Sequence, residues 1–319
     1  MTRYLLRRLL LAVPTLIIIS AVIFAILALA PGDPLGGLAT NPNVPPDVQQ
    51  NIRHQLGLDD PLPVRYMKWA ISMVSGQWGT SFMTQTPVRD LVLGRLPVTL
   101  AVIGGAYVVS LLVAIPVGVL AGTRQYSVFD QVTTTLAFAG YSLPTFFTGL
   151  LLILIFSIRL GWLPFVYVAE LQSQGLAWLG DELKQSIMPV AVLALFQAGA
   201  LTRFMRSAVL DVVREDHVRT ARAKGLRESA VLSRHVVRNA LMPVVTVIAI
   251  QAPTVFTGAI VTEQIFRVPG IGSLLISSIG NNDTPVIMTI TFIFAVLVVA
   301  ANLVADLLYA VLDPRIRYG

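Results

Sequence analysis

The chain has 319 residues, 55% of them hydrophobic and only 13% charged, against about 25% charged in an ordinary soluble domain. That deficit points to lipid. The absence of cysteine excludes a disulfide framework, a thiolate nucleophile and a cysteine metal site, and the net charge of +6 suggests nucleic acid only if the positive residues gather on one surface.

Apolar stretches without charge occupy residues 9–30, 96–123, 131–158, 185–202, 239–262 and 284–305. Each approaches the roughly twenty residues that cross a bilayer as helix, so the pattern predicts six transmembrane helices. Pro14, Pro116, Pro144, Pro189 and Pro253 fall inside them. Membrane helices tolerate proline where neighbours satisfy the freed carbonyls, and kinks and ordinary packing irregularity are both open readings. The beginning, MTRYLLRRLL with ALA at 28–30, mimics a secretory signal. Its apolar core exceeds the roughly 7 to 15 residues of a signal peptide, which favours an uncleaved first span.

Lys and Arg set the orientation. With the N-terminus inside, the cytoplasmic segments hold Arg3, Arg7, Arg8, Arg124, nine basic residues between 203 and 238, Arg315 and Arg317. The short outer segments hold Arg159, Lys184 and Arg267, and the long first outer segment is set aside because the positive-inside rule weakens there. Fifteen against three places both termini in the cytoplasm. The positive charge is therefore topological, and nucleic acid is discarded as a partner.

The largest cytoplasmic loop carries VRTARAKGLRESAVLSRHVVRN at 218–239, with six positive charges broken by Gly225. Val218, Ala221 and Gly225 share one narrow face of a predicted short helix, and Gly225 suits a left-handed helix end before a second helix from about Glu228. A small-residue face of this kind suits docking into a groove of another protein. A solvated basic loop, or a helix on anionic headgroups, are the alternatives; the latter lacks a Trp, Phe or Leu to bury.

No G-x-x-x-x-G-K-[ST], H-E-x-x-H or G-x-S-x-G occurs, so neither ATP hydrolysis nor intramembrane proteolysis has a site in this chain. A secondary carrier is the rival reading. Carriers place ionisable groups mid-membrane, whereas Glu263 and Asp306 lie near span ends, where local pairing is expected. Six spans without an internal repeat resemble half of a transporter.

Seven phrases then carry a family resemblance. EDHVRTARAKGLRESAVLSRHVVRNALMPVV at 215–245 resembles the cytoplasmic EAA-type loop of ABC importer permeases, in its dipeptide, oligopeptide and nickel branch. APGDP at 30–34, LGLDDPLPVRYMKW at 56–69, LPVTL at 96–100, SLPTFFTGLLLILIFSIRLGWLP at 142–164, VPGIGSLL at 268–275 and NLVADLLYAVLDPRIRYG at 302–319 are similar to that branch's B-type subunit. The resemblance implies an all-α membrane protein with the type I importer permease fold, six transmembrane helices and an extracytoplasmic loop region after the first. The implied parts are 1–30, the cytoplasmic N-terminus and first span; 31–95, the extracytoplasmic loop; 96–312, a five-helix core containing the cytoplasmic loop 203–242; and 313–319, a cytoplasmic tail.

The resemblance also implies that Arg219, Thr220, Ala221, Arg222, Ala223, Lys224, Gly225 and Leu226 form the helix that couples to an ATPase subunit. Arg219, Thr220 and Ala221 replace the motif's Glu-Ala-Ala, its Leu-Pro falls on Val237 and Arg238, and Arg227 stands where a capping Ser is usual. Pro269, Gly270 and Gly272 fall in an outer-gate loop, followed by a short helix at 273–279. Val268 replaces the usual aromatic residue, and Gln77 in GQWGTSF replaces an acidic one. Implied partners are a second homologous permease, two ATPase domains that bind ATP and magnesium, an extracytoplasmic substrate-binding protein and membrane lipid. The chain itself holds no cofactor, and the expected setting is a bacterial or archaeal plasma membrane. Peptides are the expected cargo, with nickel chelates or glutathione-like molecules as alternatives. Loop 31–95, with an amphipathic stretch at 46–56 and Tyr66, Trp69, Trp78 and Phe82, is either a cap on the bundle or the surface that meets the binding protein.

Overall fold

The computed structural model describes residues 2–29, 59–168 and 176–312. The amphipathic stretch 46–56 and the tail 313–319 lie outside the described residues. Eleven helices occur among those described: α1 (Thr2–Leu29), α2 (Leu62–Ser75), α3 (Val88–Thr123), α4 (Val128–Ser142), α5 (Thr145–Leu152), α6 (Leu176–Val212), α7 (Asp216–Ala223), α8 (Glu228–Val231), α9 (Arg238–Phe266), α10 (Ile271–Gly280) and α11 (Thr284–Leu312). π-helical turns, Ile153–Arg159 and Leu232–Val237, extend α5 and α8. Of β-structure, the described residues contain a single bridge, Thr80 to Pro87.

Five helices are long and apolar enough to cross a membrane, and two bent pairs raise the number to as many as seven. Glu228–Ile248 and Thr254–Phe266 fall on one continuous helical run, so six crossings remain with α10 as an additional short helix. The fold is the all-helical membrane architecture expected from the apolar pattern.

The prolines act differently. Pro14 and Pro189 lie inside continuous helices, whereas Pro144 divides the third predicted span into α4 and α5 at an angle of 104°. The cause is local: proline disfavours helical geometry in its predecessor, and Leu143 is extended, at φ −78° and ψ 127°.

The chain forms two compact units. The first comprises Met1–Leu6, Val98–Pro269 and Ala300–Gly319; the second comprises Arg7–Pro97 and Gly270–Val299. In the first, α6 runs 37 residues, about 55 Å, well beyond the roughly 30 Å of a hydrocarbon core. Its far end enters a core of Leu201, Met205, Val209, Val231, Val236 and Val244, all nearly or fully buried. In the second, Phe24, Tyr66, Trp69 and Phe292 form an aromatic cluster with ring centres 5.6 to 6.2 Å apart. Ser20 and Tyr66 hydroxyls add a 2.9 Å hydrogen bond between α1 and α2.

Candidate functional site

The loop between the fourth and fifth spans folds into α7, a sharp turn and α8. Acidic Glu215 and Asp216 begin α7 and Arg222 lies in its last turn, an arrangement the helix dipole favours at both ends. The end is a Schellman turn. The Gly225 N–H donates to the Arg222 carbonyl at 2.9 Å and the Leu226 N–H to the Ala221 carbonyl at 3.4 Å. Gly225 has φ +75°, the left-handed region that costs other residues about 1–2 kcal/mol. Nothing lies within 4 Å of where its Cβ would be, so the restriction is conformational, not spatial.

One expectation is corrected. Of the predicted docking face of Val218, Ala221 and Gly225, only Gly225 is exposed: Val218 and Ala221 are buried against this chain's own core, 0% and 4% exposed. Apolar periodicity reveals that a face needs covering, and here α6, α8 and α9 supply the cover. Burying a valine this fully is worth about 2 kcal/mol, which seats α7 firmly. The surface free for a partner is the opposite one: Arg219, Thr220, Arg222, Ala223, Lys224, Gly225 and Leu226 are exposed.

Two further contacts fix α7, and sequence reasoning missed both. The Arg222 guanidinium donates to the Glu228 carboxylate at 2.7 and 3.2 Å, bridging the glycine turn; that neighbour raises the Arg222 pKa. Arg227 provides no side-chain cap to α8, and this exposed ion pair adds a modest tie across the turn to its backbone hydrogen bonds. At the other end, His217 Nδ1 lies 3.0 Å from the Glu215 carboxylate, and its Nε2 lies 3.0 Å from the Asn239 amide nitrogen. The same Nε2 also lies 3.3 Å from the His235 carbonyl oxygen. Asn239 also donates to the His235 carbonyl at 2.8 Å. Residues 217, 235 and 239, spread over the loop in sequence, thus latch α7 to the start of α9.

Where α6 approaches α7, Asp130 of α4 is buried and paired with Arg206 of α6. Arg206 donates through Nε to one carboxylate oxygen and through its terminal nitrogen to the other at 2.8 Å. The Tyr126 N–H adds a bond of 2.9 Å. Nearby, Arg214, two residues beyond α6, donates to the side chain of Gln125 in the turn before α4 at 3.2 Å.

Of the second predicted group, Pro269 and Gly270 lie between α9 and α10, and Gly272 lies in the first turn of α10. Neither Gly270, which is extended at ψ 179° beside the start of α10, nor Gly272, buried within that helix, takes a left-handed conformation. The turn is made instead by Arg267, at φ 53° and ψ 37°, whose N–H reaches the Glu263 carbonyl. No sequence signal marks a non-glycine residue for that role. The helix expected at 273–279 exists as α10, slightly longer on both sides. Glu263, fully buried, accepts from the Thr99 hydroxyl at 2.6 Å.

GQWGTSF, given no role by sequence, contains Ser81 and Phe82. The buried Asp283 carboxylate before α11 accepts from the Ser81 hydroxyl and, at 3.0 Å, from the Phe82 N–H. The segment around residue 81 is thereby pinned within the second unit.

Comparison with known proteins agrees with this architecture. Residues 114–318 match the family described as binding-protein-dependent transport system inner membrane component, and residues 1–103 match the N-terminal part of such membrane components. The chain is 42% identical over 319 residues to the oligopeptide transport system permease protein AppB of Bacillus subtilis, covering 100% of both. It is 37% identical over 334 residues to the di/tripeptide transport system permease protein DppB of Pseudomonas aeruginosa, covering 100% of this chain and 99% of that one. It is also 37% identical over 318 residues to the glutathione transport system permease protein GsiC of Salmonella choleraesuis, covering 100% of both.

Proposed function

Because the chain belongs to the inner-membrane component family of binding-protein-dependent transport systems, we propose that it is the permease subunit of an ATP-driven ABC importer for di- or oligopeptides. It forms half of the translocation pathway, and a second homologous permease forms the other half. An extracytoplasmic binding protein delivers the cargo, and two ATPase domains bind ATP and magnesium. This chain has no Walker A loop, and ATP hydrolysis falls to those ATPase domains. It resides in a prokaryotic plasma membrane with both termini in the cytoplasm. Glutathione-like cargo is the second reading, supported by the likeness to the glutathione permease.

The observation that carries the coupling role is the two-sided character of α7. Its inner face is built into the core shared with α6 and α9, while its outer face presents Arg219, Thr220, Arg222, Ala223 and Lys224. A force applied by an ATPase to that outer face cannot be absorbed by a loose hinge. The Schellman turn, the Arg222–Glu228 pair and the His217–Asn239 latch pass it to α6 and α9, which move together and alternate access. Pro269, Gly270 and Gly272 belong to the outer-gate loop at the far end of α9. Gly225→Leu tests this mechanism in the reconstituted assembly: membrane insertion persists and uptake is abolished. Normal uptake by that variant contradicts the mechanism.

A further inference from the structure

Two arginines one turn apart on α6 meet opposite fates. Arg206 is neutralised by Asp130, whereas Arg203 enters no ion pair among the described residues, and its Nε is buried without a hydrogen-bond partner. Its guanidinium carbon lies 4.5 Å from the ring centre of Phe138 and 4.9 Å from that of Tyr141. Tyr141 in turn stacks on Phe196 at 5.2 Å, which holds the cradle in place.

The direction of this side chain matters. Asp130 meets Arg206, and a Cβ on Gly199 would lie 2.6 Å from the Ala137 carbonyl oxygen, so α4 and α6 run antiparallel with residue 203 level with about 133. Phe138 and Tyr141 then lie roughly 7 and 12 Å further along α4, at 1.5 Å per residue, away from the end that holds Asp130. Side chains lean toward the N-terminus of their own helix, and for α6 that direction leads back into the apolar run 185–202. A long cation near a membrane boundary ordinarily snorkels outward to water. Arg203 does the reverse.

Phe138 and Tyr141 are 51% and 42% exposed, so the cradle opens onto the surface of the chain. A guanidinium directed into hydrocarbon is costly, and intramembrane cations face a water-filled cavity or a counter-charge. We propose that this face of α4 and α6 borders the translocation pathway, and that Arg203 is a binding point for the C-terminal carboxylate of the passing peptide. This rests on the importer reading above. Peptides of any sequence share a terminal carboxylate, so a cation recognising it serves a pathway indifferent to side chains. The aromatic rings, through cation–π attraction, offset part of the cost of the charge when no cargo is present. A permanent acidic partner, of the kind Arg206 has, would instead keep the site occupied.

The test uses the complete importer, with its second permease, ATPases and binding protein, in proteoliposomes. Uptake of a labelled tripeptide is compared with uptake of its C-terminal amide, each saturating the binding protein, for the native chain, Arg203→Gln and Arg203→Lys. Arg203→Gln lowers uptake of the free acid relative to the amide by about tenfold, the loss expected for one charged hydrogen-bonded contact, and Arg203→Lys regains part of that ratio. An unaltered ratio, or an equal fall for both cargoes, overturns the proposal. So does loss of the second permease from purified Arg203→Gln assemblies, which would identify its acid as the partner. A native assembly that takes up neither cargo would overturn the importer reading and this inference with it.

Discussion

Gly225 illustrates how one residue sets the geometry of the turn between α7 and α8. Its environment is open but its φ is positive, so substitutions are ranked by backbone cost and not by size. Gly225→Ala loses about 1–2 kcal/mol locally, whereas asparagine, which tolerates the left-handed region, loses less. Uptake in proteoliposomes should fall in the order glycine, asparagine, alanine; a ranking by side-chain volume would contradict the backbone argument. Asp130 and Arg206 are governed by charge. Asp130→Asn leaves a largely buried guanidinium without its counter-charge, and thermal unfolding in detergent should report a loss of roughly 3 kcal/mol. The exposed Arg222–Glu228 pair behaves differently: Glu228→Gln should cost no more than about 1 kcal/mol in the same assay.

Among the elements, α7 is only eight residues long and too short to persist alone, so its order comes from what it is fastened to. His217→Ala removes one fastening. With about 1 kcal/mol per hydrogen bond, hydrogen exchange of the α7 amides should accelerate about fivefold while α6 exchange stays the same. Equal acceleration in both helices would mean that they open as one unit. This region also marks where sequence stops being sufficient. The left-handed end at Gly225 was legible because a single glycine in a helical pattern has few other uses, and the spans were legible because composition alone defines them. The buried face of α7 was not, since the spacing of Val218 and Ala221 is the same whether their own chain or a partner covers them. Nor did sequence distinguish Pro144, which breaks a span, from Pro189, which does not; both are prolines inside apolar runs, and only the backbone shows that the residue before Pro144 is extended while the helix continues through Pro189. Arg267 and the Asp283 clamp were invisible for a related reason, each depending on contacts or backbone geometry without a residue-type signature.

For the whole molecule, the apolar pattern defines a protein that crosses the membrane six times, and the distribution of basic residues predicts its orientation. The chain contains no cysteine, so an introduced one is its only thiol. With a membrane-impermeant maleimide, Thr84→Cys should react from outside right-side-out vesicles and Thr220→Cys only after they are opened; the opposite pattern would invert the orientation. The central claim, that the outer face of α7 meets an ATPase, is tested most directly at Ala223. Ala223→Cys carrying a short photo-reactive maleimide, in the assembled transporter, is predicted to join this chain covalently to an ATPase subunit. Attachment to lipid alone, or none to the ATPase in a fully assembled complex, would contradict the account.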